Sequence, residues 1–179
     1  MMGDAIVISL AANAAPPDSA ARLGQLFDMH HARLYSLARR MTRSADEARD
    51  AVQETFLRAA RSPASIPAGP SQEEAWLVRV LINIRRDEWR KLAVRRRRAP
   101  APAPRIDHRD VEAELVARST IWQALEALPP RRRAILVLYE IEGAAIPAIA
   151  AMLGIRAVTV RWHLSVGRRE LARLIGPAS

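Results

Sequence analysis

Apolar residues recur every three to four positions along most of the chain, and no segment alternates between apolar and polar as a half-buried strand would. Leu23, Leu26, Phe27, Leu34, Leu37, Ala38 and Met41 follow this spacing and predict a helix from about Ala21 to Thr42. Ser44-Ala-Asp-Glu47 has the pattern of a capping box, in which a hydroxyl and a carboxylate each accept from a free backbone N–H. It opens a second helix to about Ala60. A similar Ser71-Gln-Glu-Glu74 opens a third, to about Val94. Further helices are expected from Val111 to Leu128 and from Arg131 to Ile141, separated by Pro129-Pro130. A short helix from Pro147 and a last one from Ala157 to Leu174 complete an all-α reading.

Two breaks divide this pattern. Residues 62–71 hold three prolines and a glycine and must form a loop. From Arg95 to Pro104, four arginines precede Ala-Pro-Ala-Pro-Ala-Pro, and alternating prolines keep a backbone extended with nothing to bury. The expected organisation is two small helical domains on a flexible linker: a disordered leader over 1–20, a first domain over 21–94, the linker over 95–110 and a second domain over 111–179.

Composition narrows the chemistry. Half of the residues are hydrophobic, so a packed core is available, but aromatics are few and alanine and leucine dominate, which favours helix. The net charge of +9 is carried largely by arginine and points to an anionic partner, of which nucleic acid is the commonest. Without cysteine, disulfides and thiolate metal sites are excluded, and His30, His31, His108 and His163 form no plausible ligand set. No metal and no cofactor are expected. The apolar stretch Ile6–Ala12 follows Met-Met-Gly-Asp, which lacks the positive charge of a secretory signal. No stretch approaches the ~20 apolar residues that span a bilayer. A soluble, cytoplasmic chain without membrane insertion is expected.

Three helices hold candidate sites. On the second, Ala48, Ala51, Val52, Thr55, Phe56 and Ala59 share a core face, while Asp46, Asp50, Gln53 and Leu57 line the opposite side with Glu54 on its flank. That stripe suits docking on a basic protein partner, although periodicity alone favours a solvated face with one exposed leucine. On the third, Arg79, Asn83, Arg86 and Arg90 recur as a basic stripe bordered by Trp76, opposite Leu77, Val80, Leu81, Ile84 and Leu92. Between Arg85 and Arg98 stand eight basic and two acidic residues. Arginines neutralise phosphates, asparagine pairs with a base edge and tryptophan stacks on an unpaired base; a charge run is also what a solvated face looks like.

The C-terminal helices have the form of a helix-turn-helix: Pro147–Leu153, the turn Gly154-Ile155, then Ala157 onward. Glycine at the turn permits a positive φ. Val160, Leu164, Gly167 and Leu171 face inward, and Val158, Trp162, Ser165 and Arg169 outward, flanked by Arg161. The second helix of such a motif enters the major groove N-terminus first. Arg156, Val158, Thr159, Arg161 and Trp162 are therefore the leading candidates for base or phosphate contact, with His163 towards the inner flank.

With these segments read, the sequence resembles the extracytoplasmic-function sigma factors of bacterial RNA polymerase, over roughly residues 21–175. The stretch Asp46–Ala59 looks like the core-binding helix of their region two, and Trp76–Asn83 with Asp87, Arg90 and Lys91 like the helix that reads the −10 promoter element. Ala124–Pro129 and Arg133–Leu138 look like the start of region four; Ile149–Ile155 and Thr159–Arg161 look like its helix-turn-helix, which reads the −35 element. The resemblance implies that Asp46, Asp50, Gln53, Glu54 and Leu57 dock on core RNA polymerase. It places Trp76, Arg79, Asn83, Arg86, Trp89, Arg90 and Lys91 at the −10 element. The 62–71 loop there helps capture a flipped base. It places Arg156, Val158, Thr159, Arg161, Trp162, His163, Ser165 and Arg169 at the −35 element. Promoter DNA and an anti-sigma factor are the further partners it implies.

The chain departs from the family where a Ser-x-x-Glu-Ile-Ala pattern usually precedes the turn: Ala144-Ala145 and Ala148-Ile-Ala150 leave out both the cap and the acid. Ala157 replaces a common glycine, and Trp162 and His163 replace a small polar residue and an arginine, so promoter specificity does not carry over. A stand-alone helix-turn-helix regulator would have no use for both the acidic stripe and the Trp76–Lys91 motif, and a sigma-like decoy would lack the basic stripe. No Gly-rich phosphate loop or nucleophile–base pair suggests an enzyme.

Overall fold

A computed structural model describes residues 17–98 and 113–175, with side chains over 20–95 and 120–175. Most of the leader and the Ala-Pro repeat of the linker lie outside the described residues. Every regular element among the described residues is helical. The N-terminal half comprises α1 (Pro17–Arg39), α2 (Ala45–Arg61) and α3 (Pro70–Arg98), with a single 3-10 turn at Pro63–Ser65. The C-terminal half comprises α4 (Ala113–Ala127), α5 (Pro130–Leu136) continuing into a π-helical turn at Val137–Ile141, α6 (Ile146–Leu153) and α7 (Ala157–Ile175).

The helix boundaries follow local chemistry. Ser44 caps α2 by accepting from the Glu47 N–H at 3.1 Å, but Glu47 turns its carboxylate to Arg43 N–H and the Arg85 guanidinium instead of completing the box. The expected box at Ser71 does not form. Helix α3 starts one residue earlier at Pro70, with the Gly69 carbonyl accepting from Gln72 and Glu73 and Gly69 at φ 102°. Proline at the first helical position needs no N–H partner there, and its fixed φ suits the helix. At its other end α3 runs to Arg98, so the four arginines expected in the linker are helical. Arginine is a good helix former, and consecutive arginines do not by themselves stop a helix.

In α2 the buried residues are Ala48, Ala51, Val52, Thr55, Phe56 and Ala59, the face its periodicity marks. Helix α3 differs. Leu77, Leu81 and Ile84 are buried, but so are Val78 and Ile82, while Leu92 is half exposed. The reason is that α3 packs against α1 and α2 and also against α5 and α6. Its C-terminal turns extend past these neighbours.

The two halves thus share one hydrophobic core, running from Leu34, Leu37 and Leu77 through Leu128, Ile135 and Leu138 to Ile149 and Val160. Polar contacts reinforce the seam. Arg133, 5 % exposed, donates to the carbonyl of Met41 beyond α1 and to those of Glu126 and Leu128 at the end of α4. Glu142 accepts from Arg33 at 2.5 and 2.8 Å and from Arg40 at 3.0 Å, both on or just beyond α1, and Arg43 pairs with Glu126 at 2.7 Å.

Candidate nucleic-acid and polymerase interface

Helix α2 presents the first candidate surface. Asp46, Asp50 and Gln53 are exposed, Glu54 is half-buried and Leu57 is 42 % exposed, so the whole predicted stripe reaches solvent. It is less acidic than the sequence suggests. Asp46 pairs with Arg49 at 2.6 Å, and Glu54 with Arg58 at 3.1 Å and Arg61 at 3.8 Å. Exposed pairs of this kind contribute little to stability and exchange readily for a partner's charges.

The predicted stripe on α3 is split by the docking of the C-terminal half. Trp76 packs against the shared core, and Arg79 donates to the carbonyl of Met152, in the last turn of α6, at 3.0 Å. Asn83 and Arg86 are half-buried; Arg86 lies 3.9 Å from Asp87, and its Nε has no hydrogen-bond partner. Only Trp89, Arg90 and Lys91 are exposed. Trp89 and Lys91 border a cavity of about 350 Å³ left open between α3 and the start of α5.

The helix-turn-helix forms as its sequence requires. Gly154 adopts φ 63°, its N–H donates to Ala151, and the Ile155 N–H donates to Ala150 at 3.0 Å. These two bonds close the end of α6 in a Schellman arrangement. No side chain caps α6 at Ala145, which agrees with the missing serine of the sequence pattern. Val160, Leu164 and Gly167 are buried, and a Cβ at Gly167 would lie 2.7 Å from Leu136 Cδ1, so α7 crosses α5 closely and a larger residue there requires Leu136 to shift.

On the outer side, Val158 is 61 % and Trp162 55 % exposed, and Arg156, Arg161, Ser165 and Arg169 are exposed with them, while Thr159 is half-buried. Trp162 is held by the Arg132 guanidinium, 5.6 Å from its ring centre, and Arg132 in turn pairs with Glu170. His163 departs from the rest. It is half-buried, its Nδ1 is without a partner, and burial together with the charges of Arg132 and Arg131 pushes its pKa down. A neutral, inward-leaning imidazole does not replace an arginine at a phosphate.

Sequence reasoning missed Arg33, Arg40, Glu142, Arg43, Glu126 and Arg133, which join the halves. The contacts that cross between the halves join residues 83 to 109 positions apart, and no local period marks such pairs. The hydrogen bond to Glu142 raises the Arg33 pKa despite partial burial, so the guanidinium stays charged. Among the described residues, no group of His, Asp and Glu could hold a metal ion, and no helix is long and apolar enough to cross a membrane.

Comparison with known proteins points to one family. The sigma-70 region 2 family matches residues 26–95 and the sigma-70 region 4 family matches residues 118–171. The chain is 34% identical over 155 residues to the ECF RNA polymerase sigma factor SigM of Mycobacterium tuberculosis, covering 85% of this chain and 76% of that one. It is 33% identical over 153 residues to the ECF RNA polymerase sigma factor SigE of Mycolicibacterium smegmatis, covering 82% of this chain but only 59% of that protein's length. Among solved structures, CnrH in complex with the cytosolic domain of CnrY aligns with TM-score 0.58 and 25% identity, covering 89% and 91% of the two chains. The sigma factor RpoE in complex with the anti-sigma factor NepR from Bartonella quintana aligns with TM-score 0.53 at 22% identity, covering 90% and 99%, a likeness of fold alone.

Proposed function

The chain belongs to the extracytoplasmic-function sigma factors, and from that premise we propose that it binds core RNA polymerase in the cytoplasm and directs promoter recognition, melting and initiation, without catalysing a reaction itself. The observation that carries this reading is the coexistence, in family order, of an exposed polar stripe around Leu57 on α2, a basic α3 and a helix-turn-helix with an exposed reading face. A stand-alone regulator needs only the last of these.

In this reading Asp46, Asp50, Gln53, Glu54 and Leu57 dock on the polymerase. Leu57 supplies the apolar anchor, and the carboxylates exchange Arg49, Arg58 and Arg61 for the partner's basic groups. Trp89, Arg90 and Lys91 stand ready at the −10 element, with Trp76, Arg79, Asn83 and Arg86 joining them once the halves separate. Arg156, Val158, Thr159, Arg161, Trp162, Ser165 and Arg169 face the −35 element. Trp162 gives an apolar surface suited to a thymine methyl where a small polar residue is usual. RpoE of Bartonella quintana is solved in complex with an anti-sigma factor, and by analogy an anti-sigma factor holds this chain inactive.

Run-off transcription from genomic fragments tests the proposal. Core polymerase with this chain is expected to yield transcripts from a subset of promoters that neither yields alone. Leu57→Asp is expected to lose most of that activity and polymerase binding while keeping its helicity. Specific duplex binding by the isolated chain at physiological salt, indifferent to polymerase, would overturn it in favour of a stand-alone regulator.

A further inference from the structure

We propose that the cavity bordered by α3, the start of α2 and the start of α5 is a nucleotide site. It takes a free nucleoside polyphosphate, with the base against Trp89 and the phosphates at Lys91 and Arg95. This site does not depend on where promoter DNA runs.

The cavity has the size and the charge for such a ligand. Its volume of about 350 Å³ lies in the range of small-molecule pockets. Five basic and three acidic side chains line it, together with Trp89, Leu92 and Pro130. The acids are already engaged: Arg85 holds Glu47 at 3.2 Å and Glu88 at 2.5 Å, and Arg43 holds Glu126 at 2.7 Å. Among the described residues, Lys91, Arg95 and Arg133 form no ion pair, although all three line the same space. Arg133 is buried, and its Nε has no hydrogen-bond partner. Burial and the charges of Arg85 and Arg43 push its pKa down against the pull of Glu126. A desolvated cation beside other cations is compensated by an anion entering the cavity.

The rest of the lining selects a nucleotide over a bare anion. Helical spacing puts Lys91 and Arg95, one turn apart, on one edge of the α3 face that borders the cavity, and Trp89 on the other. Trp89 is partly exposed and offers a ring on which a base stacks. The three carboxylates keep lone pairs beyond those their arginines use, and these accept from ribose hydroxyls or a base amino group. A bare phosphate makes no use of either feature. A DNA strand carries a phosphate on both sides of each base, and three carboxylates in so small a space repel it, whereas a free nucleotide has its phosphates at one end. On the reading that Trp89 and Lys91 meet the −10 element, a bound nucleotide and the promoter strand compete for these two residues.

Isothermal titration calorimetry of the full chain with ATP and with GTP, without polymerase, tests the site. At about 150 mM salt, where long-range attraction to a basic protein is screened, at least one of them is expected to bind one-to-one. Arg95→Glu is expected to weaken that binding about 10-fold or more, and Trp89→Ala at least about 5-fold. Arg173→Glu, the same charge change at an exposed position of α7, is expected to weaken it less than about 2-fold. All three positions are exposed, and unchanged helicity by circular dichroism checks that the variants fold. Absence of binding by both nucleotides, or equal weakening by Arg173→Glu and Arg95→Glu, would overturn the site. Inorganic tripolyphosphate binding as tightly as the nucleotide, with no effect of Trp89→Ala, would reduce it to an anion site and overturn the nucleotide assignment. A single-stranded DNA of mixed sequence is expected to displace the nucleotide. DNA that binds without displacing it would leave the site intact and count against Trp89 and Lys91 as −10 residues.

Discussion

Arg133 ties the two halves at a single atom cluster, and its replacement gives a sharp test of how the seam is stabilised. The side chain is 5 % exposed and reaches three carbonyls, those of Met41, Glu126 and Leu128, which stand at chain ends where no intrahelical donor can serve them. Burial, with Arg85 and Arg43 nearby, pushes its pKa down to about 10. That corresponds to about 3 kcal/mol lost by the charged form on folding. Arg133→Met recovers this loss but strands the three carbonyls, each at about 1–3 kcal/mol. The balance centres on a net destabilisation of about 2–3 kcal/mol, or roughly 5–12 °C in Tm for a chain of this size. Arg133→Lys keeps the buried charge, yet a single ammonium cannot fork between carbonyls on two chain segments, so it should be less stable than the methionine variant. Thermal and urea unfolding of the full chain followed by circular dichroism would give the order parent, methionine, lysine. A methionine variant as stable as the parent would show that the carbonyls do not depend on the guanidinium, and the reasoning would fail.

His163 carries a lowered pKa in the folded chain, so the unfolded chain binds its proton first as pH falls below about 6.5. Stability is therefore full above that value and declines as pH drops from about 6.5 towards the folded pKa, and His163→Gln should flatten the Tm profile between pH 7.5 and 5.5. Gly167→Ala gains up to about 1 kcal/mol in helix propensity but forces a Cβ to 2.7 Å from Leu136 Cδ1 and 3.1 Å from Arg132 Cγ. Leu136 is buried, so it can shift only by repacking the core, and a net loss of about 1–2 kcal/mol in urea unfolding is expected; a stabilised variant would show that Leu136 repacks at little cost.

Local rules carried far along this chain. The six residues that periodicity assigns to the core face of α2 are the six buried ones, and the inward set of α7 and the left-handed Gly154 follow in the same way, because each depends on neighbours within a turn or two of helix. The sequence also determined the all-helical class, the basic character of α3 and the exposed outer face of α7 around Trp162. It misjudged the start of α3, where the proline already serves as the first helical residue, and its end, where arginines extend the helix. What only the tertiary structure decided is which of those surfaces is free. Arg79 and Trp76 look alike to Trp89 and Arg90 on a helical wheel, yet the first pair lies under α6 and the shared core while the second meets solvent. That difference comes from the docking of the C-terminal half on α3, whose core contacts and ion pairs join residues far apart in the chain. Such pairs leave no period in the chain, because their spacing is set by how two halves pack and not by the rise of any one helix.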